Sequence, residues 1–126
     1  FEAASRGAAS VQLVESDAAL VAQLHTLQQR LQATALRVQR GDGVAALKQA
    51  APASLDLVLL DPPFDSDFFT PALQAAAQAV AADGFVYLEA PRAWTDEELA
   101  AWGLAVHRHL KAGAVHAHLL RRAVPL

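Results

Sequence analysis

The densest chemistry in this sequence lies in Asp61, Pro62, Pro63 and Phe64, set directly after the apolar run Leu57-Val58-Leu59-Leu60. Each proline fixes φ and lacks an N–H, so the turn is stiff and its carbonyls are free to accept hydrogen bonds. Asp61 adds a carboxylate acceptor, and Phe64 adds a flat face. These parts suit the methylation of a planar amine. A conjugated exocyclic amine is a poor nucleophile, and it attacks a methyl donor best when its N–H groups point at acceptors and its lone pair turns towards the methyl carbon. An Asp oxygen and a prolyl carbonyl supply those acceptors. Stacking on Phe64 contributes about 1–3 kcal/mol when the partner is a nucleobase, and holding the amine in line with the methyl group accounts for most of the rate gain. The plainer reading is a strand ending in a Pro-Pro turn, with Asp61 making a local hydrogen bond.

The elements that must position these residues follow from periodicity. The unbroken run ending at Leu60 predicts a strand covered on both faces, as in a parallel sheet. Ligands of open α/β sheets bind outside the carboxyl ends of the strands, where Asp61 falls. Val11, Leu13 and Val14 predict a strand ending at Glu15. Asp17 is placed to cap a helix running to about Gln32, with Leu20, Val21, Leu24, Leu27 and Leu31 at helical spacing. Leu36 and Val38 mark a second strand closed by Gly41-Asp42-Gly43, and Val44 to Ala50 a short helix cut off before Pro52. Thr70 caps a helix with Pro71 at its first position and Gly84 at its end. Phe85 to Leu88 is the next strand, and Thr95-Asp96-Glu97-Glu98 a capping box opening a brief helix to about Trp102. Leu104–Leu110 and Val115–Arg122 form a hairpin around Ala112-Gly113. Alternating strands and helices predict an α/β, doubly wound sheet with an antiparallel hairpin at one edge.

Several stretches together resemble the RsmD family, whose members methylate a guanine exocyclic nitrogen in bacterial small-subunit ribosomal RNA using S-adenosylmethionine. They are Ser5-Arg6-Gly7-Ala8-Ala9, Val14-Glu15-Ser16-Asp17, Leu55-Asp56-Leu57-Val58, Asp61-Pro62-Pro63-Phe64 and Val86-Tyr87-Leu88-Glu89. The resemblance runs along nearly the whole chain. It implies a Rossmann-like class I methyltransferase sheet with helices on both faces. Asp61, Pro62, Pro63 and Phe64 would then be catalytic. Glu15 would hold the donor's ribose and Asp42 its adenine, with Ser16, Gly43 and Asp61 also among the cofactor-binding residues.

An acid ending a strand can also be read independently as a ribose acceptor, whereas Gly41-Asp42-Gly43 alone reads more simply as a turn with a good turn former. Phe1 to Arg6 reads as the tail of a helix closed by Gly7. The sequence is therefore expected to be amino-terminally truncated, a single partial domain over 1–126 without the family's basic arm, first strand and glycine-rich loop.

On the acceptor side, Phe64, Phe68, Glu89 and Arg92 are the substrate-binding candidates. Glu89 is placed to meet a guanine edge and Arg92 a phosphate, while at least one of Phe68 and Phe69 is expected in the core. With Ala112-Gly113 as the turn, His107, His109, His116 and His118 share one face of the hairpin. Imidazoles can bind zinc or nickel, but no acid or cysteine completes a usual site. A polar outer face, opposite Leu104, Val106, Leu110, Val115 and Leu119, is the expectation, with no metal. Arg121 and Arg122 read as solvated edge charges.

The chain's bounds fit one small domain: 126 residues, 54% hydrophobic, no cysteine, and a net charge of −3 from 10 basic and 13 acidic residues. That balance leaves no broad basic footprint for nucleic acid. No apolar run approaches the ~18 residues of a membrane span. A cytoplasmic, monomeric enzyme is expected, acting on small-subunit ribosomal RNA, free or in assembled particles, at a loop or bulge guanine that can be splayed out. The motif alone also admits adenine N6 in DNA or RNA, or a protein glutamine amide. A non-catalytic fragment unable to bind the donor is the reading from another class.

Overall fold

The computed structural model describes residues 10–15, 17–33, 36–60 and 69–123. It divides into two compact units, 1–46 and 47–126. In the first, β1 (Val11–Glu15) and β2 (Leu36–Arg40) pair in parallel from Val11 opposite Leu36 to Glu15 opposite Arg40. Helix α1 (Ala18–Leu31) connects them. Asp17 is its cap, with Oδ1 accepting the N–H groups of Ala19 at 2.8 Å and Leu20 at 3.2 Å. Those donors have no partner within the first helical turn, which is why the acid is there.

Val21, Leu36 and Val38 form the first unit's core, with Val11, Leu13 and Leu24 packed against it. Leu20, Leu27 and Leu31, expected on the same face as Val21, are exposed instead. They lie about 100° round the helix from Val21. The intervening Gln28 is half-buried, and its amide donates to the carbonyls of Ala33 and Leu36. A seven-residue helix, α2 (Gly43–Gln49), follows β2.

The second unit holds a four-stranded sheet in the order β3-β4-β6-β5, where β3 is Leu55–Leu60, β4 Val80–Ala90, β5 Leu104–Ala112 and β6 Val115–Arg122. β3 and β4 run parallel, joined through α3 (Phe69–Ala79), while β6 is antiparallel to both its neighbours. One face of the sheet is buried, formed by Val58, Leu60, Val86, Leu88, Ala90, Leu104 and Leu120, with α3 adding Ala72, Leu73, Ala75 and Ala76 to the core. The expectation that β3 is covered on both faces is corrected. Its burial alternates, and Leu57 and Leu59 are 48% and 63% exposed. They sit on the face opposite the buried Val58 and Leu60, alongside the half-buried Phe85 and Tyr87 with which they pair.

Gly84 does not close α3. The helix ends at Ala79, where the carbonyls of Gln78 and Ala79 accept the N–H groups of Ala53 and Ser54, both at 2.9 Å. Gly84 lies within β4, in an irregular stretch where β3 advances from Leu55 to Leu57 while β4 advances from Val80 to Phe85. A Cβ there would stand 2.6 Å from the Asp56 carbonyl oxygen, so only glycine fits. Thr70 and Pro71 fall inside the first turn of α3, after Phe69, where a missing N–H costs no intrahelical bond.

After β4, Thr95 caps α4 (Asp96–Leu99) in a full capping box with Glu98, and a 3₁₀ turn (Ala100–Trp102) leads to β5. The hairpin register differs from the expected one. Its two-residue turn is Gly113-Ala114, so Ala112 pairs with Val115, Lys111 with His116 and His109 with His118, and a bulge falls at His107. The shift moves side chains between faces. His118 becomes fully buried beside Leu120, and Leu110, expected inside, is 68% exposed. Arg122 is no solvated edge charge either, since its Nε and Nη2 donate to the Val80 carbonyl at 3.0 and 2.6 Å.

Candidate active site

Two carboxyl edges carry the predicted site residues, one in each unit. In the first, Glu15 ends β1 opposite Arg40, so the segment after β2 begins beside it. Asp42 stands in that segment. Its Oδ1 accepts the Val44 N–H at 2.9 Å, capping α2, and its carbonyl accepts the Ala46 N–H at 3.0 Å. The side chain is exposed, and its second oxygen has no hydrogen-bond partner among the described residues. A Cβ on the neighbouring Gly43 would meet nothing within 4 Å among the described residues, so the backbone beside this acid is uncrowded there. Asp42 is thus both the turn former that its glycine neighbours suggested and a carboxylate with acceptor capacity to spare. Ser16 and the Glu15 side chain lie outside the described residues.

In the second unit the buried face carries one continuous row at this edge: Leu60 pairs with Leu88, Leu88 with His118, and His118 with His109. Leu60 is the last residue of β3. The motif that follows it, Asp61, Pro62, Pro63 and Phe64, lies outside the described residues, as does Phe68. Phe69 is buried, its ring 6.2 Å from that of Trp94.

The segment leaving β4 is tightly built. Glu89, half-buried, accepts a hydrogen bond from the Tyr87 hydroxyl at 3.0 Å. Arg92 donates through Nη1 and Nη2 to both oxygens of Glu98, at 2.9 and 2.8 Å, and its guanidinium lies 4.1 Å from the Trp94 ring centroid. The hydrogen bond from Arg92, helped by those from Thr95, holds the Glu98 carboxyl below its usual value despite the opposing effect of desolvation. Arg92 therefore already has an anionic partner in Glu98.

Sequence reasoning missed the histidine behind this segment. His118 Nε2 accepts the Trp94 backbone N–H at 3.0 Å, and Nδ1 faces the Leu88 carbonyl at 3.3 Å. Alternation alone could have shown it only with the turn placed one residue later. His109 and His116 stack in front of it, with Nε2 and Nδ1 2.8 Å apart. No group of three His, Cys, Asp or Glu side chains among the described residues is arranged to hold a metal ion. No helix among them is long and apolar enough to cross a membrane.

Comparison with known proteins gives this arrangement its setting. Residues 1–121 match a family profile described as conserved hypothetical protein 95. The chain superposes on YhhF of Escherichia coli, a candidate methyltransferase, with a TM-score of 0.82 and 26% identity over 98% of this chain and 68% of that one. A candidate methylase of Haemophilus influenzae gives 0.80 and 24% over 98% and 79%, and a conserved hypothetical protein of Streptococcus pyogenes gives 0.75 and 20% over 92% and 73%. No curated protein matches the chain. The expected α/β, Rossmann-like class I methyltransferase fold is thereby established.

Proposed function

The chain belongs to the conserved hypothetical protein 95 family, and on that premise we propose that it is an S-adenosylmethionine-dependent methyltransferase acting on the exocyclic N2 amine of a guanine in bacterial small-subunit ribosomal RNA. The observation that carries the reading is β3. It is a parallel strand that ends buried at Leu60, paired with the central strand at Leu88, and the sequence continues at once into Asp61-Pro62-Pro63-Phe64. In a sheet of this class the carboxyl ends of parallel strands are where ligands meet the protein.

Bound S-adenosylmethionine supplies a methyl group on a sulfonium centre. The chain's own residues bind and orient. Asp42 fits the donor, because an exposed carboxylate with a spare oxygen suits an amino group, and Glu15 at the paired strand end suits a ribose. Asp61 and the Pro62 carbonyl accept from the guanine amine, turning its lone pair towards the methyl carbon, while Phe64 stacks on the base and Pro63 stiffens the corner. Phe68 and Glu89 flank the acceptor. No strong base is required, since the proton can leave to solvent after transfer. A net charge of −3 argues for a small, local RNA contact.

The test is transfer of a labelled methyl group to bare ribosomal RNA, assembled small subunits, DNA and protein, with the full chain and with Asp61→Ala. Label in guanine of small-subunit RNA, lost by about 100-fold or more in the variant with donor affinity kept, is expected. Label only in DNA adenine or in protein glutamine overturns the substrate. An active Asp61→Ala protein overturns the site.

A further inference from the structure

His118 is fully buried. Its two ring nitrogens face groups of opposite character, and these fix its protonation by geometry. The Trp94 amide can only donate, so Nε2 is unprotonated, while the Leu88 carbonyl can only accept, so Nδ1 carries the hydrogen. A second proton on Nε2 would set N–H against N–H, and the Trp94 contact would be lost.

That contact is the start of a chain of others. Trp94 supports the Arg92 guanidinium, Arg92 binds Glu98 by two hydrogen bonds, and Glu98 completes the Thr95 capping box. The ring thus ties residues 91–98 to the row that ends at Leu60, one residue before the motif. We propose that His118 is a positioning residue: its neutral ring latches the 91–98 segment beside the acceptor edge, and its protonation releases that segment. The link to methyl transfer rests on the function proposed above; the latch does not.

The groups around the ring favour the neutral form. His109 faces it from β5, and His116 lies on the same side of β6 with Lys111 paired to it, while Glu89 on β4 points to the opposite face of the sheet. The carboxylate of Glu98 is engaged by Arg92. Burial lowers the pKa of His118 from its ordinary 6.5, hydrogen bonding to the Leu88 and His116 backbone opposes this, and the charges of the His109 and His116 rings push it down further. Because the folded protein holds this proton less tightly than the unfolded chain, the latch is complete above pH 6.5 and weakens as pH falls from there towards the lowered value.

The experiment follows Trp94 emission in the full chain carrying Trp102→Phe, from pH 8 down to pH 5, with circular dichroism recording that the fold persists. A transition below pH 6.5 is expected, absent in His118→Gln, whose amide oxygen can accept from Trp94 but does not titrate. Should that variant fail to fold, hydrogen exchange of the parent decides: the Trp94 amide loses protection through the transition while those of Val86 and Leu120 keep theirs. An unchanged transition in His118→Gln, or a Trp94 amide equally exchangeable at both ends of the range, overturns the latch. Methyl transfer by the parent should fall about tenfold per pH unit below the transition, and His118→Gln should hold its rate. Coincident rate profiles overturn the positioning role. An emission transition without transfer to any substrate leaves the latch standing and sinks the assigned activity.

Discussion

The carboxyl edges of the two units are built on opposite plans. After β2, Asp42 is exposed, uses one oxygen to cap a short helix and keeps the other open. After β4, nearly every polar group is already spoken for: Glu89 by Tyr87, Arg92 by Glu98, Trp94 by His118, and Thr95 by Glu98. The first edge offers acceptor capacity to a ligand that brings its own donors. The second offers shape, a wall held by side chains that bind one another.

Three substitutions break or sharpen that contrast. The largest effect is expected from Gly84→Ala, because the added methyl would meet the Asp56 carbonyl at 2.6 Å and the β3–β4 pairing must shift. A loss of about 1–3 kcal/mol in urea unfolding is expected, and a loss within experimental error would mean that the bend before Phe85 relaxes freely. Next comes Asp42→Ala. Calorimetry with S-adenosylmethionine should show affinity reduced by about tenfold, with about 1 kcal/mol of stability lost with the cap. Asp42→Asn should restore most of the stability but not the affinity. An unchanged affinity in both variants would reduce this acid to a helix cap. The smallest is Thr95→Ala, which removes one half of a capping box and should cost about 1 kcal/mol, with donor affinity untouched. If it instead impairs donor binding, the division of labour between the edges is wrong.

What could be read from the sequence was what depends on near neighbours. Asp17 and Thr95 declare their helices because a cap acts within three residues, and both caps are where expected. The identities of β1, β2 and β3 followed from short apolar runs bounded by turn formers. Gly84 misled because a glycine that ends a helix and one that admits a neighbouring carbonyl look alike until the strands are paired. The hairpin misled for a similar reason. Gly113 belongs to both Ala112-Gly113 and Gly113-Ala114, but a two-residue hairpin turn wants its positive φ at the first position, and the choice, with the bulge at His107, exchanges the inside and outside of β6. His118 was therefore placed in solvent when it is among the most enclosed side chains of the second unit. Arg122 escaped notice because its partner, Val80, lies 42 residues away. Of the candidate site, Asp42, Glu89 and Arg92 can be compared with structure, whereas the motif at Asp61 rests on sequence and family alone.

The grip of Arg122 on the Val80 carbonyl also bears on how the second unit is made. During synthesis, the opening of β4 emerges from the ribosome well before the guanidinium that finally seals it. That contact must wait for the end of β6, and a chain released before residue 122 would leave the Val80 carbonyl without its cation.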